Sequence, residues 1–176
     1  KSRKMKTRDI FIALLVPVVL GFGFVIAKPA MLYFPPYLLM GMRFTIPALI
    51  LVWWFPAPKG LYFDLFKVSF IGSTLQYGLT YTGLNIIDAS SAILLVQLEV
   101  PFGIVIAFFL LKEIPTLKNI VGLVVAFIGV FILTGAPNLE GKYVGVLLTI
   151  SGAFTWALGA VMAKPLSKKI GAFALM

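Results

Sequence analysis

The feature of this sequence that most constrains its fold is a series of apolar stretches, each close to the length of a membrane-spanning helix. A helix crosses a hydrocarbon core of roughly 30 Å with about 20 predominantly apolar residues. Of the 176 residues, 61% are hydrophobic and 12% are charged, which no water-soluble domain of this size could carry on its surface. We therefore predict an all-α membrane protein with about six transmembrane helices. The predicted spans are residues 10–32, 36–55, 66–86, 90–111, 117–133 and 144–162.

The distribution of basic residues predicts how these spans are oriented. The formal net charge is +9, but the basic residues lie mainly in the N-terminal tail and in short loops, so we expect no nucleic-acid partner. Loops rich in Lys and Arg stay in the cytoplasm. One side would hold the N-terminal tail, Lys59, Lys67, Lys112, Lys118, Lys164, Lys168 and Lys169, and the other side little beyond Lys142. We predict a multi-pass protein of the cell inner membrane with a cytoplasmic N-terminus.

The sequence contains neither Cys nor His. Thiolate and imidazole metal sites, disulfides and every His-dependent catalytic dyad or triad are thereby excluded. Glu99 is the single carboxylate expected near the middle of a span, and the sequence offers it no nucleophile–base partner. We therefore expect neither enzymatic activity nor a metal site.

A short segment recurs at one constant offset of 136 residues. Residues 23–29 (GFVIAKP) align with residues 159–165 (GAVMAKP), and Leu39-Met40 aligns with Leu175-Met176 in the same register. A unit of five spans crosses the membrane an odd number of times, so its second copy is inverted, as in many secondary transporters. The chain would then hold one full repeat and the first helix of another, and a complete protein would need about four more spans.

The order and spacing of several residues resemble the EamA family of the drug/metabolite transporter superfamily, whose members carry two five-helix repeats. The resemblance runs the whole length of the chain. The residues that carry it are Gly21-Phe22-Gly23-Phe24-Val25 and Lys28 in the first helix, Pro36 and Arg43 in the second, Pro101 and Leu110-Leu111-Lys112-Glu113 in the fourth, Gly122 and Gly129-Val130 in the fifth, and Trp156-Ala157 in the sixth.

The resemblance implies a ten-helix transporter built from two inverted repeats, a small-molecule substrate, the lipid bilayer as surroundings and no bound cofactor. Residues 1–9 would form a basic cytoplasmic tail, 10–135 the first EamA-like repeat, 136–143 an outer loop, and 144–176 the start of a second, truncated repeat. Family members handle amino acids, other metabolites and drugs, often by export. Leu20 and Gly23 depart from the Trp and Asn that the family often has there, so the substrate class does not carry over.

Glu99 is the sharpest candidate for a functional residue. At a rise of about 1.5 Å per residue it lies roughly 14 Å from the start of its span, close to the midplane, where an ionisable group is costly to insert. Pro101 cannot donate a backbone hydrogen bond and is expected to free a carbonyl near Gln97. Glu99 could bind and release a proton during alternating access or hold a substrate amine, and Gln97 would contribute to the same site. The alternative is a structural ion pair or a hydrogen-bonded carboxylic acid.

Two basic residues are further candidates. Arg43 is expected roughly 10 Å in from the outer end of the second helix, and Lys28 near the outer end of the first. They could form a cationic vestibule that attracts a carboxylate or phosphate. The alternatives are interfacial anchoring for Lys28, and for Arg43 a pair with Glu99 or a carbonyl.

The third and sixth helices supply the remaining candidates. Gln76 lies on one stripe of the third helix, and Tyr77 and Tyr81 lie on an adjoining stripe, so a polar and aromatic wall could face a cavity. Trp156 could form part of the opposite wall. For all four residues, packing and interhelical hydrogen bonding is the alternative. Gly145, Gly152 and Gly159 recur every seven residues and predict close helix packing without chemistry.

The leading hypothesis is secondary transport by alternating access, because the glycines form no Walker A pattern that would make ATP the energy source. Two alternatives stay open. A lipid or lipid-linked-sugar flippase of the same superfamily would need a lateral opening for acyl chains. A non-transporting membrane scaffold subunit would have no reason to direct Glu99 into a cavity.

Overall fold

The computed structural model describes residues 7–54, 60–134 and 139–170, and every regular element within these residues is helical. The all-α prediction is therefore confirmed for the described chain. The elements are α1 (Thr7–Ala30), α2 (Pro36–Trp54), α3 (Tyr62–Ser69), a π-helical segment (Phe70–Leu75), α4 (Gln76–Ile86), α5 (Ala89–Val96), α6 (Glu99–Leu111), α7 (Leu117–Thr134) and α8 (Tyr143–Ile170).

Two helical boundaries differ from the sequence prediction by four residues or more. The third helical rod, formed by α3, the π-helical segment and α4 (residues 62–86), begins at Tyr62 instead of Phe66, and α8 continues to Ile170, eight residues beyond the predicted end at Met162. In α3 the ammonium of Lys67 lies 4.1 Å from the centroid of the Phe63 ring, so the four residues before the predicted span belong to an amphipathic helical turn. Hydropathy marks where a helix leaves the apolar layer, not where the helix ends.

Two described stretches are long and apolar enough to cross a membrane by length and composition, Ala89–Leu111 and Tyr143–Ser167. The first comprises α5, a turn and α6. Pro36–Ile50 and Leu117–Val130 are shorter apolar helices. Many large apolar side chains of α1, α2 and α7 are exposed on the surface of the described chain, as lipid-facing or partner-facing helices require.

The tightest packing joins α8 to the third rod along what we call the glycine seam, formed by Gly145, Gly152 and Gly159. A Cβ atom added at Gly159 would overlap the backbone of Gly72, and one added at Gly152 would overlap the hydroxyl of Thr80. The predicted role of these glycines in close packing is therefore confirmed. Gly72 lies in the π-helical segment, whose wider turn presents backbone to α8 where no side chain intervenes.

A buried core lies at the end of the molecule where α4 meets α5. Tyr81, Leu84, Ile87 and Leu95 are almost fully buried there, and Ala27, Met31 and Met40 from the α1–α2 region join the same cluster. Asp88 starts α5 because its carboxylate accepts a hydrogen bond from the Ser91 amide at 2.8 Å, as an N-cap residue does.

The apolar stretch from α5 to α6 is broken at Gln97 and Leu98. The Leu98 amide donates to the Leu95 carbonyl at 3.1 Å and the Val100 amide to the Gln97 carbonyl at 3.2 Å, which are the shorter three-residue bonds of a tightened turn. The prediction of a free carbonyl near Gln97 is therefore wrong, because the turn supplies Val100 as its donor. The break also makes Glu99 the first residue of a new helix.

Candidate functional site

A groove of about 650 Å³ runs between α6 and α8, and Glu99 and Trp156 both line it. Gly103, Ala107 and Ala160 contribute small side chains to its walls. Beneath it, Ile106, Ala157 and Val161 pack as a small apolar cluster. We call this cavity the Glu99 groove. Its volume lies within the range of small-molecule sites.

Glu99 lies half-buried in the first turn of α6. The positive end of the α6 dipole favours a negative charge there. Within residues 7–54, 60–134 and 139–170, the carboxylate forms neither an ion pair nor a hydrogen bond. This geometry differs from the structural ion pair or hydrogen-bonded acid given as the alternative, and the functional role of Glu99 stays a prediction.

An ion pair between Lys164 of α8 and Glu113, which follows α6, lines one end of the groove, with the charged atoms 2.5 Å apart. Lys112 adopts a left-handed conformation with φ of 55°, and the Glu113 amide donates to the Ala107 carbonyl at 3.3 Å. The Lys112 amide bonds to the same carbonyl, so a left-handed residue caps the end of α6, and this turn sets the position from which Glu113 reaches Lys164. Both side chains are 49% exposed, so the pair lies at the mouth of the groove.

Arg43, Tyr77 and Tyr81 form a second cluster between α2 and α4. The Arg43 guanidinium donates to the Tyr81 hydroxyl at 2.8 Å, and the rings of Tyr77 and Tyr81 are 5.9 Å apart. Phe24 of α1 stacks on Tyr81 at 5.7 Å. Arg43 therefore pairs with a phenol, not with Glu99.

Lys28 lies apart from both clusters. Its ammonium donates to three carbonyls where α4 ends, those of Leu84, Asn85 at 3.1 Å and Ile87 at 2.6 Å. An ammonium has three donors, and all three are occupied. Helix C-terminal carbonyls lack intrahelical partners, so this geometry makes Lys28 a cap for α4, and its predicted role in substrate binding stays a prediction.

The two glutamines also lie away from the Glu99 groove. Gln97 lines a separate recess with α7 residues, although it is only two positions from Glu99, because the turn directs the two side chains to different sides. Gln76 is 6% exposed and donates to the Thr80 hydroxyl at 3.3 Å, while its Oε1 is buried without a hydrogen-bond partner among the described residues. Gln76 thus lies beside the glycine seam.

Sequence reasoning did not assign Glu113 and Lys164 to the site. One sequence feature does indicate that Glu113 and Lys164 lie on the same membrane face. Both lie after apolar spans that are predicted to end in the cytoplasm. Their contact spans 51 positions of sequence, which no local pattern reveals.

Comparison with known proteins adds a family and several relatives. The EamA-like transporter family matches residues 7–135. A "Probable amino-acid metabolite efflux pump" of Salmonella typhimurium is 31% identical over 91% of the chain and 54% of the relative, and a protein of the same name in Escherichia coli shows the same values. The uncharacterized transporter YvbV of Bacillus subtilis is 31% identical over 94% of the chain and 56% of its own length. The chain thus spans a little over half the length of these relatives. No solved structure gives a significant match.

Proposed function

The chain belongs to the EamA-like transporter family, and from this premise we propose that it carries part of a secondary transporter that exports small metabolites by alternating access. This family is one of membrane transporters, not of enzymes. The observation that carries the proposal is the Glu99 groove, in which a carboxylate with no ion-pair partner among the described residues faces a cavity of about 650 Å³ beside an indole ring. The names of two relatives suggest amino-acid metabolites as the substrates to test first.

The proposed architecture is six membrane crossings within this chain, with the N-terminus in the cytoplasm of the inner membrane. Residues 10–135 would form one five-helix repeat and residues 144–176 the beginning of an inverted second repeat, with residues 1–9 as the tail and 136–143 as the outer loop. In this arrangement the ion pair of Glu113 and Lys164 joins the end of the first repeat to the first helix of the second. That contact supports a substrate path that both repeats build together.

In the proposed mechanism, Glu99 alternates between a protonated and an ionised form as the groove opens to one side and then to the other. A protonated carboxyl carries no charge, so burying it while the groove is closed costs less free energy than burying a carboxylate. The ionised form would either take up a proton from the outer side and become neutral, or bind the protonated amine of a substrate. Trp156 lies in the same groove and offers an apolar and cation-binding surface to an amine.

The test is flux through the intact protein in proteoliposomes, with amino-acid metabolites as substrates and an imposed pH gradient. We expect Glu99→Gln to reduce gradient-driven transport by about tenfold or more and to abolish its dependence on the gradient. Glu140→Gln removes a carboxylate from an exposed loop position and serves as the control, with transport like wild type. Wild-type flux in the Glu99→Gln protein would refute the role of Glu99.

Substrate exchange without a gradient separates the two roles of Glu99. A coupling group is needed only to link proton and substrate movement, so Glu99→Gln should retain exchange if its role is coupling. If Glu99 holds the substrate amine, exchange is lost together with net flux. No exchange or flux of any substrate by the wild-type protein would contradict the transporter proposal itself.

A further inference from the structure

The Arg43 guanidinium lies in an apolar recess of about 420 Å³ between α1 and α2. Arg43 is the only charged residue among the described residues that line it. The other walls are made of small, aliphatic and aromatic residues, among them Gly23, Ala27, Phe34, Met42 and Ile46. We call this cavity the Arg43 recess. It is separate from the Glu99 groove, with which it shares no lining residue.

The guanidinium is held in place by groups that do not neutralise it. Tyr81, which is 1% exposed, accepts one hydrogen bond from it at 2.8 Å, and the Phe44 ring centroid lies 6.0 Å from its central carbon. Gly23 gives it room, because a Cβ added there would lie 3.5 Å from Nη2. A phenol and an aromatic ring orient a cation, but neither supplies a negative charge.

Within the described part of the chain, no carboxylate pairs with Arg43, since the single ion pair there joins Lys164 and Glu113. An arginine has five N–H donors, and Tyr81 takes one of them. Arg43 is exposed on the surface of the described chain, and a charge on the apolar surface of a membrane helix is costly unless it is paired and hydrogen-bonded. The free donors of a guanidinium match the two oxygens of a carboxylate or phosphate.

We propose that the Arg43 recess binds the anionic head group of an amphipathic molecule, a carboxylate or phosphate on an apolar tail. The guanidinium binds the anion, and the aliphatic and aromatic walls cover the tail. This site goes beyond the proposed transport function and does not depend on it, because its occupancy is a matter of binding and not of flux. The anion is either a free amphipathic acid or the head group of a membrane lipid.

The experiment measures binding of radiolabelled decanoate to the intact protein in nanodiscs of phosphatidylcholine. We expect saturable binding that Arg43→Gln weakens by about tenfold or more, because the charge-assisted hydrogen bonds are lost. Decanol has the same chain without the charge, so it should compete poorly. Equal binding by wild type and Arg43→Gln, or equal competition by decanol, would overturn the proposal.

A second pair of variants keeps the guanidinium and changes only the space beside it. Gly23→Leu fills the recess next to Nη2, whereas Gly21→Leu adds the same side chain to the same helix where no described atom lies within 4 Å of an added Cβ. Gly23→Leu should weaken decanoate binding by several fold, and Gly21→Leu should leave it unchanged. Unaltered binding in the Gly23→Leu protein would contradict the assignment of the site even if Arg43→Gln does not fold.

Lipid composition distinguishes the two sources of the anion. In nanodiscs that contain phosphatidylglycerol, a recess that binds lipid head groups is already occupied, so the apparent affinity of wild type for decanoate falls and that of Arg43→Gln does not. A recess selective for free acids binds decanoate equally in both membranes. Failure of the Glu99 flux test leaves each of these outcomes intact, so the two proposals stand or fall separately.

Discussion

The two faces of α8 differ in how much space they leave beside the helix. One face carries the glycine seam, where Gly145, Gly152 and Gly159 press against the third rod so closely that no methyl group fits. The other face carries Trp156, Ala160 and Lys164 and lines a groove of about 650 Å³. The seam has no room for a ligand, whereas the groove has room, a carboxylate and an ion pair at its mouth.

The difference shows that small residues have two uses in this chain. In the seam, glycines allow backbones to approach, as is common between membrane helices. In the groove, Gly103 and Ala160 leave space that no other side chain fills. A glycine substitution therefore has opposite expected consequences on the two faces, for stability in one case and for transport in the other.

The largest expected effect is that of Gly159→Leu in the seam. The new Cβ alone would overlap the backbone of Gly72, and backbone cannot move aside as a side chain can. We expect the substitution to cost about 3 kcal/mol or more, which corresponds to a fall of roughly 6–12 °C in Tm for a chain of this size. Thermal unfolding of the detergent-solubilised protein measures it.

The control for this substitution is Gly129→Leu on α7, where an added Cβ would meet no described atom within 4 Å. Both changes exchange glycine for leucine inside a helix, so the gain in helix propensity is common to both. An equal Tm for the two variants would show that the seam is not as tight as its geometry indicates.

An effect of intermediate size is expected for Gly103→Leu in the Glu99 groove. An added Cβ there meets no atom of the described chain within 4 Å, so we expect Tm to stay the same or rise slightly, because leucine favours the helix by up to about 1 kcal/mol. The side chain would occupy the Glu99 groove, and we expect transport to fall by about tenfold, equivalent to about 1.4 kcal/mol. Flux and Tm are measured on the same preparation.

If Gly103→Leu lowers Tm as much as Gly159→Leu does, the contrast between seam and groove is wrong. If it leaves both Tm and transport unchanged, the groove is not on the substrate path. The Gly129→Leu protein again provides the comparison, since it carries the same substitution outside the groove.

Much of the fold could be predicted because the membrane restricts the options. Apolar runs of about 20 residues have few alternatives to a helix, and proline at the start of α2 and Asp88 before α5 mark helix beginnings that local chemistry alone specifies. The packing role of the seam glycines could also be predicted, because a spacing of seven residues places them on one face of a helix.

The sites were only half predictable, because their partners come from different helices. The depth of Glu99 in its span can be predicted by counting residues. Which side chain Arg43 pairs with cannot, because it donates a hydrogen bond to Tyr81 and not to Glu99. Lys28 and Lys164 occupy equivalent places in the repeated Ala-Lys-Pro segment, yet one caps carbonyls and the other pairs with Glu113. Local sequence does not specify such long-range contacts.

The smallest expected effect concerns the ion pair at the mouth of the groove. Both partners are 49% exposed, and an exposed pair contributes at most about 1 kcal/mol. We expect Glu113→Gln, Lys164→Gln and the double variant to give a coupling free energy of about 1 kcal/mol or less in a thermal-unfolding double-mutant cycle. High salt should reduce this coupling further because it screens exposed charges. A coupling of about 3 kcal/mol would mean that the pair is buried in the intact protein, so the mouth of the groove would then be as closely packed as the seam.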